Sequence, residues 1–131
     1  MNFSTKFVTI LFILCTSLFA GRGDILFNSI ESYLSSYRQS IETGDVTVRE
    51  GIISVKIAAR RTNIKSQQLL GFLSVGRAMQ SSSNPFREVH IIIHYEIRGV
   101  QEILITAPVE LAIQLSQGKL SPKQFFDKIG N

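Results

Sequence analysis

Alternation over residues 88–97 constrains this chain more than any other feature. In the run Glu88-Val89-His90-Ile91-Ile92-Ile93-His94-Tyr95-Glu96-Ile97, the side chains of Val89, Ile91, Ile93, Tyr95 and Ile97 fall on one side of an extended backbone. Glu88, His90, His94 and Glu96 fall on the other. Successive side chains of a strand point to opposite faces, so the segment is predicted as a strand with one buried face. Arg98-Gly99-Val100 offers a three-residue loop in which Gly99 is free to take positive φ, and residues 101–107 return as a second strand. That loop sets Tyr95 opposite Ile103, Ile93 opposite Ile105 and Ile91 opposite Ala107. On the reverse face it sets Leu104 against His94 and Ile92 against Thr106.

A second, tighter hairpin is predicted over residues 45–59. A two-residue turn at Glu50-Gly51 pairs Val48 with Ile53 and Val46 with Val55 on one face. The same register pairs Thr47 with Ser54 and Asp45 with Lys56 on the other, so apolar, polar and charged partners agree. Helices fill the remainder. Leu26, Ile30, Leu34, Tyr37 and Ile41 recur at three- and four-residue spacing and predict a first helix over residues 24–43, capped by Asp24 and ended by Gly44. A second helix begins near Ser66. Its apolar side runs from Leu69 to Met79, and Gly71 and Gly76 within it each cost ~1 kcal/mol against alanine, which points to close backbone approach. Pro108 opens a third helix that runs to Gly118. Ser121-Pro122-Lys123-Gln124 is a capping box for a fourth, with Leu120 and Phe125 at the hydrophobic-staple positions. The expected fold is therefore α+β: an antiparallel sheet of two β-hairpins packed on helices, in the order α-β-β-α-β-β-α-α.

The amino terminus indicates a compartment. Residues 8–19 are apolar apart from Thr9, Thr16 and Ser17, they follow Lys6, and Ala20-Gly21 supplies small residues for cleavage. A bilayer-spanning helix needs ~20 apolar residues, so this shorter run reads as a signal peptide over residues 1–20, ahead of a single α+β domain over residues 21–131. The expectation is export to the periplasm or the extracellular space, with a membrane tether should the segment stay uncleaved. Cleavage would remove Cys15, the one cysteine, leaving a chain held by apolar burial without disulfides. No Asn-X-Ser/Thr acceptor lies beyond residue 20, which fits a bacterial envelope. Loss of Lys6 takes the 14 basic residues to 13, against 10 acidic ones. So mild an excess selects no partner.

Few side-chain constellations carry chemistry. His90 and His94 share a strand face but stand about 13 Å apart at ~3.3 Å per residue, too far to hold one zinc. The expected register also brings Glu96 opposite Glu102, the residue type of acid–base pairs, but on an open face with Arg98 beside them they read as a solvated cluster. Without a thiol, a nucleophile-elbow serine or a metal cluster, the chain is expected not to be an enzyme and to need no cofactor. Lys56, Arg60, Arg61 and Lys65 form the densest basic patch and suit an anionic lipid surface. Nucleic acid would require a larger charge excess and interleaved aromatics. The polar sheet face carries Ile52, Ile92 and Leu104 beside His94; such a face is either covered by the C-terminal helices or docks a partner, and coverage is favoured because Phe125 and Phe126 need burial.

The run from Thr106 to Phe126, with Gly118-Lys119-Leu120-Ser121-Pro122 at its centre, resembles the late helix and Gly-Lys-Leu-x-Pro signature of sterol-carrier-type lipid-binding domains. The resemblance covers this tail alone. It implies a small carrier holding a lipid or other apolar ligand between the sheet and the helix bearing Leu69. The leading expectation is a non-enzymatic envelope protein acting as a protein-interaction module, its partner another envelope protein, and the carrier is the alternative.

Overall fold

The computed structural model describes residues 25–80 and 86–130, so the expected signal peptide, Asp24 and the serine-rich connection at 81–85 lie outside the described residues. Residues 25–36 form helix α1. A 3-10 turn, Thr43–Asp45, leads into strand β1 (Val46–Arg49) and strand β2 (Ile52–Ala58). Helix α2 (Ile64–Met79), strands β3 (Glu88–Glu96) and β4 (Val100–Pro108), and helices α3 (Val109–Ser116) and α4 (Pro122–Lys128) follow. The class is α+β, with one four-stranded sheet in the order β1-β2-β3-β4.

The sheet is mixed, which corrects the expected antiparallel arrangement. Each hairpin is antiparallel, but β2 and β3 run parallel, with Ile53 beside Val89 and Ile57 beside Ile93. Helix α2 is the reason. It carries the chain from the end of β2 back to the start of β3, the long crossover that parallel neighbours require. The chain order also departs from the expected one, because the 3-10 turn stands ahead of β1.

The first hairpin keeps the register read from its pattern: Val46 pairs with Val55, Thr47 with Ser54 and Val48 with Ile53. Asp45 does not extend it to Lys56. Its carboxylate instead accepts a hydrogen bond from the Glu42 backbone at 2.8 Å inside the 3-10 turn. In the second hairpin the loop is 97–99, one residue earlier than expected, and Ile93 faces Ile103 while Ile91 faces Ile105. Arg98 (φ 53°) and Gly99 (φ 113°) both take left-handed backbone there, which puts the glycine last in the loop instead of in its middle. The slip is two residues along β4, an even number, so every side chain keeps its face.

Helix α1 is shorter than expected, ending at residue 36 and not near Thr43. Arg38 takes φ 61°, with Arg38 N–H donating to Ser35 O and Gln39 N–H donating to Leu34 O. These are the paired bonds of a left-handed helix terminus, formed here without glycine. At the other end of the chain the Ser121–Gln124 capping box forms in both directions, with distances of 2.9 and 3.1 Å.

All four helices bury their apolar residues with one face of the sheet. Ile30 and Leu34 of α1, Phe72 and Val75 of α2, Ala112 and Leu115 of α3, and Phe125 and Phe126 of α4 join Ile53, Val55, Ile57, Val89, Ile91 and Ile93 in a single cluster. Close approach is secured by the two α2 glycines. A Cβ at Gly71 would stand 2.9 Å from the Ile91 side chain of the sheet, whereas one at Gly76 would overlap the Ala112 carbonyl of α3. Only the first therefore faces the sheet. Gln67, nearly buried, donates from Nε2 to Ala58 O at 3.1 Å and to Gln39 Oε1, tying α2 to the end of β2 and to the segment after α1.

Candidate functional site

Because the described helices sit on one side, the other side of the sheet is left open among the described residues. Its rows follow from the pairing: Arg49, Ile52 and Glu88; then Thr47, Ser54, His90 and Thr106; then Lys56, Ile92 and Leu104; then Ala58, His94 and Glu102. The expectation that the C-terminal helices cover this face is overturned. Phe125 lies with its ring centroid 4.9 Å from that of Phe72, on the helical side, and Phe126 packs edge-on to Phe125. Leu104 is left 58% exposed, and Val100, on the same side of β4, is 70% exposed.

The expected surface residues are brought together in part. Ile92 and Leu104 are direct cross-strand neighbours, and His94 stands in the next row beside Glu102. Ile52 lies two rows away, beyond Ser54 and His90. Two expected pairings are replaced through the register slip: Leu104 faces Ile92 and not His94, and Ile92 no longer faces Thr106. The carboxylate pair does not form either, since Glu96 faces Val100 and Glu102 faces His94.

Charge on this face is internally matched. Lys56 Nζ stands 2.7 Å from Glu102 Oε1, reaching from β2 over β3 to β4. The hydrogen bond and charge of Glu102 raise the Lys56 pKa, and those of Lys56 lower that of Glu102. His90 Nε2 lies 3.1 Å from Glu88 Oε1, outside hydrogen-bond alignment. His90 Nε2 and His94 Nδ1 are shut off from water and have no hydrogen-bond partner among the described residues. Buried polar atoms are ordinarily paired, so two on one face are a departure from the rule.

The basic patch is dispersed. Lys56 belongs to the open sheet face, Arg60 and Arg61 are exposed before α2, and Lys65 Nζ sits 4.3 Å above the Phe126 ring on the helical side. Sequence reasoning missed Val100, assigned to a loop, although its parity with Glu102 and Leu104 was there to read. It also missed the Lys56–Glu102 pair, because the two residues lie on strands that only the parallel junction brings within reach.

A groove of about 530 Å³ runs between α1 and α2, lined by Ser29, Ser32, Tyr33, Ser36, Tyr37 and Arg77 among others. The Tyr33 and Tyr37 rings are 5.2 Å apart and tilted, and Ser36 Oγ donates back to Tyr33 O at 2.6 Å. Burial, followed by the Tyr37 hydrogen bond, pushes the Tyr33 pKa up to about 12. Among the described residues no three His, Cys, Asp or Glu side chains are placed to share a metal ion, and no helix is long and apolar enough to cross a membrane. Comparison with protein-family models, curated proteins and solved structures returns no match for this chain.

Proposed function

We propose that this protein is an exported, non-enzymatic interaction module of the cell envelope that engages a protein partner through the open face of its sheet. The observation that carries the reading is the exposed Leu104 of edge strand β4 beside Ile92, on a sheet face that no described helix packs against. A sheet with one face in water ordinarily shows polar residues there, and contiguous apolar side chains on such a face mark contact with something else. Val100, also exposed on this side of β4, extends the apolar strip.

The carrier alternative asks for room between the sheet and α2, where Phe72, Ile57 and Ile91 are fully buried and Gly71 admits no added methyl without displacing Ile91. The module is therefore preferred. An anionic lipid surface would be left mainly to Arg60 and Arg61, since Lys56 is engaged by Glu102 and Lys65 by Phe126. The test is a paired pull-down from the protein's own envelope with wild-type and Leu104→Lys baits. A protein retained by the first and lost from the second, with unchanged circular dichroism, supports the reading; equal retention refutes it. Mass spectrometry of the recovered chain reports whether residues 1–20 have been removed.

A further inference from the structure

We infer that the occupant of the open sheet face is a second copy of this chain, packed face to face about a two-fold axis. The inference rests on the docking reading of that face and names its partner. The charge of the face is the first reason. The whole chain carries +4, yet this face sets Arg49 and Lys56 against Glu88, Glu96 and Glu102, while Arg60, Arg61, Arg77 and Lys123 lie in turns and helices elsewhere. With two basic residues against three acidic ones, the face carries too small a net charge to select a strongly acidic or basic protein. It does satisfy what a surface that meets itself requires, since a face of one sign would repel its copy.

The arrangement of those charges is the second reason. Lys56 lies in the row of Ile92, and Glu102 in the row of His94, so the line joining the two charges crosses β3 between Ile92 and His94. In a two-fold contact, residue i meets residue j and j meets i. An axis lying between two such sheets, along the perpendicular bisector of the Lys56–Glu102 line, sets Lys56 of each copy against Glu102 of the other. Ile92 and His94 then fall beside the axis, and Leu104 lies close to it. Each intramolecular pair is exchanged for an intermolecular one, so neither Lys56 nor Glu102 loses a partner.

The third reason is area. Strand residues at ~3.3 Å rise and ~4.8 Å spacing cover roughly 500 Å² of sheet face in this chain. Two crossed copies thus bury at most roughly 1,000 Å², at the lower limit for a specific interface, and the association is weak and reversible.

The experiment is sedimentation of the protein purified after expression of the full chain, over roughly 10 to 500 micromolar, a span matched to an interface of that size. A monomer–dimer equilibrium is expected. Lys56→Glu and Glu102→Lys, run separately, sediment as monomers, because the axis then faces like charges. Mixed in equal amounts they dimerise, because the introduced glutamate meets the introduced lysine and the two native residues meet each other. Leu104→Glu stays monomeric, and circular dichroism of all three variants matches the parent. A parent that is monomeric throughout overturns the second copy as occupant and leaves the docking reading to its own Leu104→Lys test. A dimer that survives Leu104→Glu, or a mixture that stays monomeric, overturns the assigned face and axis.

Discussion

Lys56 and Glu102 meet across a strand that belongs to neither of them: Nζ of β2 stands 2.7 Å from Oε1 of β4, with β3 between. Two antiparallel hairpins become one surface at this point, and the parallel junction makes the contact geometrically available. Both side chains remain in water, so the pair is a local clamp and not a pillar of the fold.

Its pH dependence follows from the two shifts. Glu102 is lowered from 4.5 in the folded chain, so its contribution is complete above that value and lost as pH falls through the depressed folded pKa. Lys56 is raised from 10.5, so its contribution is complete below that value and lost as pH rises through the elevated one. The stability difference between wild type and Glu102→Gln is therefore expected to be flat between 4.5 and 10.5 and to close outside that window. Urea denaturation across pH measures it, and added salt shrinks it. A difference as large at about pH 2 as at about pH 7 would exclude the pair as its source.

The two glycines of α2 predict unequal costs for the same substitution. At Gly76 a methyl overlaps the Ala112 carbonyl, and backbone cannot yield without parting α2 from α3, so Gly76→Ala is expected to cost about 3 kcal/mol. At Gly71 the obstacles are the buried side chains of Ile91 and Ile57 at 2.9 to 3.0 Å, which must shift without moving backbone, and the gain in helix propensity offsets part of that crowding. Gly71→Ala should cost about 1 to 2 kcal/mol, less than Gly76→Ala. Urea midpoints rank the two, and a reversed order would mean that α2 meets the sheet more tightly than it meets α3.

Leu104→Lys tests whether the open face is surface or core. With the side chain more than half in water, the fold should lose no more than about 0.5 kcal/mol. Phe125→Ala, which empties a fully buried ring site against Phe72, should cost about 3 to 5 kcal/mol. Thermal or urea unfolding of the pair decides it: comparable losses would place Leu104 inside the structure.

How far the sequence reaches is visible in these same residues. Period-two alternation assigned Ile52, Ile92, His94 and Leu104 to one face and Ile91 and Ile93 to the other, because a strand has only two faces and both hairpins alternate cleanly. The register of the second hairpin is not legible to the residue, because the position of Gly99 within the loop is set by backbone angles that composition does not specify. The relation between the hairpins was not legible at all. It depends on where α2 returns the chain, which is a matter of tertiary packing. The covering of the outer face failed for the same reason: Phe125 has an apolar partner in Phe72, and nothing in the spacing of either residue says that they meet.

Tyr33 supplies an alkaline prediction. Burial first, and then the hydrogen bond to Tyr37, hold its hydroxyl protonated up to about 12 in the folded chain. A raised folded pKa gives stability that is complete below the unfolded value of 10.0 and lost as pH climbs from there through about 12. Ultraviolet titration of phenolate should show Tyr33 ionising late, and Tyr37→Phe should bring it earlier. A Tyr33 phenol that ionises near 10.0 in the folded state would contradict this environment.

The turn of the first hairpin is where sequence and backbone disagree most simply. Glu50 (φ 51°) and Gly51 (φ 80°) both occupy left-handed backbone, the conformation of a two-residue hairpin turn whose twist matches its strands. Glycine accepts this freely. A glutamate does not, because its Cβ crowds the following carbonyl, whereas asparagine tolerates the region best among side-chain-bearing residues. Glu50→Asn should therefore stabilise the chain by about 0.5 to 1 kcal/mol, without touching any buried contact. Glu50→Val, which adds a branch at the crowded atom, should destabilise by more than that. The measurement is the urea midpoint of each variant, with the Thr47–Ser54 and Val48–Ile53 pairings followed by amide exchange to show that the register has held. Should the valine variant match or exceed the asparagine one in stability, the strain does not lie at residue 50, and the loop must relax through a longer turn.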